Sequence, residues 1–162
     1  MSRRACWSES TQQHSSTPLG PKNVNSFSKE NREEARIICQ EIVPVLAAQH
    51  TADVPKAGNK IVIITLYKAQ QRLLKLMLAE QTLTETPIVM TVDSAQGCEA
   101  DIVILSLVRS NYTNNIGHAR DRQRINVALS RAKHRLIVVG NADCFQMDKV
   151  WRDLSRLAHK ER

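Results

Sequence analysis

Three stretches of this chain are apolar along their whole length: Ile61-Val-Ile-Ile64, Ile102-Val-Ile-Leu105 and Leu136-Ile-Val-Val139. A strand with one wet face alternates apolar and polar residues, so an unbroken β-branched run reads as a strand buried on both sides. Helices on both faces of a sheet provide that burial, and the sheets they cover are mostly parallel. Helical periodicities stand between the runs. Ala35, Ile38, Ile42 and Leu46 recur at helical spacing, Leu73, Leu76, Met77 and Leu78 form a broad apolar face, and Ile125, Ala128, Leu129 and Ala132 fall at i, i+3, i+4 and i+7. Strands are expected over 60–65, 88–92, 101–107 and 136–139, with helices from Ser28 as N-cap, over 69–80 and over 121–133. Val150, Leu154 and Leu157, with Trp151 beside them, mark a closing helix. Pro44 should kink or end the first helix near Val43. The expected fold is a three-layer α/β domain, a mostly parallel sheet flanked by helices.

At 162 residues the chain is one domain's worth, and with only 4% aromatics its core must be aliphatic. Residues 1–22 are rich in Ser, Thr, Gln and Pro without periodicity and read as a disordered lead-in. A short strand is expected over 23–27 and a turn over 53–58. The domain is placed at 23–158, with a tail at 159–162. A net charge of +7 favours a polyanionic partner, nucleic acid before an anionic membrane; a merely cationic surface is the alternative. Cys6, Cys39, Cys98 and Cys144 lie tens of residues apart, which suggests neither a zinc site nor a disulfide framework. Reduced thiols imply a cytoplasmic or nuclear protein. No apolar run approaches the ~18 residues of a membrane span, so no membrane partner is expected.

Ligands of parallel sheets sit beyond the carboxyl ends of the strands. Thr65 with its neighbours, residues 92–99 and residues 108–111 are expected to converge on that edge. Thr65-Leu-Tyr-Lys-Ala-Gln70 marks a strand-to-helix turn suited to a phosphate, though such turns are common. Thr91-Val-Asp-Ser-Ala-Gln-Gly-Cys-Glu-Ala-Asp101 places hydroxyls, carboxylates and a glycine between two strands. It reads equally as a ligand loop or as a polar connection with a capping Asp. Arg124 and Arg131 lie two turns apart on one helix and so share a face, an arrangement suited to an anion, or to a solvated face paired with Asp121 or Glu99. There is no Gly-x-x-x-x-Gly-Lys-Ser/Thr phosphate loop within these residues.

These segments resemble the second RecA-like domain of superfamily 1 helicases, in the branch of the nonsense-mediated-decay RNA helicase. Residues 91–101 look like its motif V and Arg124-Ile-Asn-Val-Ala-Leu-Ser-Arg-Ala-Lys133 like its motif VI. Residues 64–70 are similar to its Thr-Pro-Tyr-x-x-Gln segment, with Leu66 for the usual Pro, and Asn31-Arg-Glu-Glu-Ala35 is similar to the signature before it. His118 and Ala119 stand where an aromatic-aliphatic pair is common, and Gln123 where an Arg is. The resemblance implies ATP with Mg²⁺ bound between two RecA-like domains, the first supplying the phosphate loop and the metal carboxylate. By position it makes Arg131 the arginine finger on the γ-phosphate and Glu99 a ribose contact, with Gly97 allowing close approach and Gln96 and Arg124 in support. Thr65, Thr91 and Ser94 match nucleic-acid backbone contacts, and Arg109 a residue coupling ATP to the strand. The implied partners are single-stranded RNA or DNA and a first RecA-like domain, in cis or in trans. Helicase and ATPase activity is expected only with that domain, so the isolated 162-residue chain should be inactive. A non-catalytic nucleic-acid-binding module derived from a helicase is the alternative.

Overall fold

The computed structural model describes residues 4–9, 28–49, 60–83 and 85–160. The apolar runs form three neighbouring strands: β2 (Ile61–Thr65), β4 (Ala100–Ser106) and β5 (Ala132–Gly140). With β1 (Arg4–Glu9), β3 (Ile88–Thr91) and β6 (His159–Lys160) they make one sheet in the order β3-β2-β4-β5-β1-β6, parallel at every pairing. Side chains alternate across it. Val62, Ile64, Val103, Leu105, Leu136 and Val138 enter one core with α4 (Arg122–Ser130), α5 (Ala142–Phe145) and α6 (Lys149–Leu157). Ile63, Val89, Ile104, Ile137 and Val139 enter the other with α1 (Arg32–Arg36), α2 (Val43–Gln49) and α3 (Lys68–Ala79). The expected three layers are therefore present. No helix among the described residues is long and apolar enough to cross a membrane.

Several sequence expectations need correction. Residues 4–9 of the supposed lead-in form β1, which pairs along β5 from Arg4↔Arg135 to Glu9↔Gly140, and residues 159–160 of the supposed tail pair with β1 in turn. A six-residue strand with only Ala5-Cys6-Trp7 apolar, set in a Ser/Thr/Gln-rich stretch, has too little pattern to betray itself. It forms because β5 would otherwise present an unpaired row of backbone donors and acceptors. The strand expected over 23–27 and the turn over 53–58 lie outside the described residues.

The first helix is capped by Asn31, whose Oδ1 accepts the Glu34 N–H at 3.1 Å. Ser28 Oγ instead accepts the Ala69 N–H at 2.8 Å, at the start of α3. Pro44 ends nothing. The helix widens into a π-type turn over Ile37–Ile42 and continues as α2, with the Val43 N–H reaching back to Ile38 O. The wider turn gives the proline ring room beside the preceding carbonyls.

α4 stops at Ser130, and Ala132 opens β5 by pairing with Ala100. Lys133 and His134 are in the strand yet exposed, which no burial periodicity reveals. On α6 the anchor is Trp151, fully buried, with its Nε1–H donated to Ala119 O at 3.0 Å and its ring edge-on to Phe145 at 5.3 Å. Burying the indole turns Val150 and Leu157 toward solvent.

Candidate nucleotide and nucleic-acid edges

Because β3 and β4 run parallel, Thr91 ends one strand at the carboxyl edge while Ala100 starts the next at the opposite edge. Residues 92–99 must therefore cross one face of the sheet from edge to edge. α4 runs beside this crossing in the same direction, tied to it near both ends. Near the carboxyl edge Arg124 Nε lies 3.1 Å from Asp93 Oδ1, and at the other edge Arg131 Nη1 donates to Cys98 O at 3.2 Å. The single convergent edge expected from sequence thus resolves into two groups, one at each edge of the sheet. Thr65, Thr91, Ser94 and Arg109 belong to the carboxyl edge; Gly97, Glu99 and Arg131 lie at the amino ends of β4 and β5.

At the carboxyl edge Thr91, Thr65 and Ser106 stand side by side in register on β3, β2 and β4. Ser94 Oγ donates to Thr91 O at 3.0 Å and accepts the Thr91 N–H at 3.0 Å, which closes the short 3₁₀ turn Asp93–Ala95. The two hydroxyls also lie 3.0 Å apart. Thr65 is fully buried, and its Oγ1 has no hydrogen-bond partner among the described residues, which is rare for a buried polar atom. Arg109 Nε donates to Asn115 O at 2.8 Å. Gly117 follows at φ 56; a Cβ there would lie 2.5 Å from Tyr67 Oη, so a side chain would have to displace the tyrosine tip as well as hold a positive φ. The Tyr67 ring lies against His118, centroids 5.0 Å apart.

At the opposite edge Gly97 turns at φ 80 with open space where a Cβ would stand. Gln96, Gly97 and Glu99 are exposed. Arg131 follows at the C-cap of α4, where its guanidinium folds back: Nε donates to Val127 O at 3.0 Å and Nη2 to Ser130 Oγ at 2.9 Å, beside the bond to Cys98 O. Glu99 pairs with Lys133 at 3.3 Å rather than with either arginine. Arg124 is neutralised by Asp93 and, at 3.8 Å, by Asp121, and its Nη1 meets His118 Nδ1 at 3.3 Å. The two arginines sit about 10 Å apart along the helix. Each has its own partners, so no anion is needed to reconcile them.

Sequence inspection gave no functional weight to a buried polar cluster behind the carboxyl edge. Glu34, Gln70 and Ser106 are all fully buried. Ser106 Oγ donates to Glu34 Oε2 at 2.8 Å, and Gln70 Nε2 donates to Ser106 Oγ at 3.1 Å and to Asn31 O at 3.1 Å. Burial pushes the Glu34 carboxyl up to about 7, against hydrogen bonds from the backbone of Val108, the Ser106 hydroxyl and the backbone of Leu107. The Asn-x-x-Glu spacing at a helix start was the signal available, and alone it reads as ordinary capping.

A family model described as AAA domain matches residues 5–143, beginning within β1. The chain is 40% identical over 120 residues to the DNA polymerase alpha-associated DNA helicase A of Saccharomyces cerevisiae, covering 74% of this chain and 16% of that protein. It is 34% identical over 137 residues to Helicase sen1 of Schizosaccharomyces pombe (82% and 8%), and 50% identical over 66 residues to Regulator of nonsense transcripts 1 of Dictyostelium discoideum (41% and 5%). It therefore spans a small part of the helicases it matches. With motifs V and VI in order on a helix-flanked parallel sheet, the chain belongs to the AAA-domain family, as a RecA-like domain of a superfamily 1 helicase.

Proposed function

We propose that this domain forms one wall of an ATP site and part of a nucleic-acid track, supplying Arg131 to the γ-phosphate of ATP held by an adjoining first RecA-like domain. The observation that supports this most is the junction of motifs V and VI, where the Arg131 guanidinium bonds the carbonyl that follows the Gly97 turn. That contact puts a cation suited to phosphate oxygens beside a stretch of backbone open to close approach. Arg131 would exchange its bonds to Val127 O, Cys98 O and Ser130 Oγ for phosphate oxygens as the two domains close. Glu99 would leave Lys133 for the ribose, with Gln96 beside it, and Arg124 would hold the motif V crossing against α4 through Asp93. Mg²⁺, when bound, neutralises phosphate charge. The metal carboxylate would come from the first domain, while Asp93 and Asp121 pair with Arg124 and Glu99 with Lys133.

At the carboxyl edge Thr65, Thr91 and Ser94 line up for a single-stranded RNA or DNA backbone, with Arg109 coupling that edge to the nucleotide. The net charge of +7 supports the assignment. One observation favours the non-catalytic binding module instead: all three nitrogens of the Arg131 guanidinium already donate within the chain.

The test mixes the chain with a matching first RecA-like domain and single-stranded RNA or DNA and follows ATP turnover. The chain alone is expected to be silent and the mixture active, with Arg131→Ala lowering turnover by roughly 10³-fold. Unchanged turnover in Arg131→Ala would defeat the finger assignment. A silent mixture that still binds single strands in a salt-dependent way would favour the binding module.

A further inference from the structure

Val108 is β-branched yet sits at φ 70. The next N–H, of Arg109, donates to Leu107 O at 2.8 Å. Val108 is thus the centre of a γ-turn of the positive-φ form, which is rare and strained. Such strain persists only where the surroundings over-determine it, and here both peptide groups of Val108 are held. Its N–H donates to Glu34 Oε2 at 2.9 Å, and its carbonyl accepts from Asn31 Nδ2 at 3.2 Å. The same Oε2 accepts Ser106 Oγ, and Oε1 accepts Asn31 Nδ2 at 3.2 Å. Gln70 locks the arrangement from α3, its Oε1 accepting the Asn31 N–H at 2.7 Å.

The groups that meet Glu34 are neutral donors, and a fully buried carboxylate held this way is costly. Capping the first helix does not need it, since Asn31 Oδ1 already performs that task. What the carboxylate adds is a fixed reversal of the chain where β4 leaves the sheet, and the residue leaving the turn is Arg109. Its Nε is aimed at Asn115 O, beside Gly117.

We propose that Glu34 is the positioning residue for Arg109: its carboxylate clamps the strained Val108 γ-turn, so that the arginine leaves the carboxyl edge in one direction. The functional weight of this clamp rests on the reading of Arg109 as the coupling residue. The clamp itself does not.

The experiment compares the 162-residue chain with Glu34→Gln by amide hydrogen exchange and by the NMR resonance of the Arg109 Nε–H. Gln keeps the shape but sets an NH₂ group where one oxygen accepted. The variant should speed exchange at the Val108 and Arg109 amides roughly tenfold, the loss of about one hydrogen bond's net stabilisation. The Arg109 Nε–H resonance should move, while Ile63 and Ile104 exchange as before. Val108→Gly added to Glu34→Gln should restore the Arg109 resonance, because glycine holds positive φ unaided. An unmoved Arg109 resonance, or an effect spread evenly over the sheet without rescue by glycine, overturns the proposal. If Glu34→Gln does not fold, Asn31→Ser decides. It keeps a capping oxygen but deletes the donor to Val108 O, and the same local pattern is expected; no change at Val108 and Arg109 rejects the clamp. Arg109→Ala tested in the turnover mixture separates the two ideas, since normal turnover would remove Arg109 from coupling and leave the clamp standing.

Discussion

Glu34 should give this domain a stability that declines as pH rises through neutrality. Its carboxyl goes from an ordinary 4.5 to about 7 on folding, because burial disfavours the charge more than its hydrogen bonds restore it. At about 1.4 kcal/mol per pH unit, that links about 3 kcal/mol of stability to one proton. The folded state holds the proton more tightly than the unfolded chain. The contribution is therefore complete below pH 4.5 and is lost as pH rises through about 7. Other perturbed groups act elsewhere. Asp148, held low by Arg122 and the N–H groups of Trp151 and Val150 in spite of its burial, matters only in acid, and Cys39 and Cys144, raised by burial, only in alkali. Cys144 feels the charges of both Arg109 and Glu34. The assay is urea unfolding of the wild type and Glu34→Gln at about pH 5 and about pH 8, with the urea midpoint of the wild type falling relative to the variant by on the order of 1 M. Subtracting the variant removes every group except Glu34. Parallel dependence of the two proteins on pH would refute the reasoning.

Trp151→Phe keeps an aromatic ring but orphans Ala119 O, and should cost about 1–3 kcal/mol by thermal unfolding. Asp148→Ala deletes the cap on the Val150 and Trp151 N–H groups together with the two-pronged pair to Arg122. It should cost about 1–2 kcal/mol, and Arg122→Ala clearly less, because a half-exposed pair is worth at most about 1 kcal/mol; equal losses would refute the capping role. Gly97→Ala meets no atom within 4 Å, so only its positive φ is penalised, about 1 kcal/mol. It should melt a few degrees lower and, if the proposed nucleotide approach holds, weaken ATP binding in the two-domain mixture. Asp93→Ala breaks an exposed pair and should leave the melting temperature nearly unchanged.

The strands at Ile61, Ile102 and Leu136 were legible because burial on both faces leaves an unbroken apolar run, and the helices between them because they must cover those faces. The motifs were legible because their residue types and order follow the chain. What escaped was whatever depends on partners distant in sequence. β1 exists because β5 has an edge to satisfy. Trp151 rather than Val150 enters the core because the indole fills more space and Ala119 O waits for its N–H. Nothing local shows Glu34 as more than a helix-start carboxylate, since its partners Ser106 and Val108 lie more than seventy positions away.

The candidate site divides along the same line. The sequence singled out Thr65, Thr91, Gly97 and Glu99 in the segments flanking buried strands, and Arg124 and Arg131 on one helix face. Only the parallel pairing of β3 with β2 and of β2 with β4 decided where they stand, because a chain that ends one parallel strand must cross the sheet to begin the next. That crossing puts Thr91 and Arg131 at opposite edges, which a one-dimensional string does not contain.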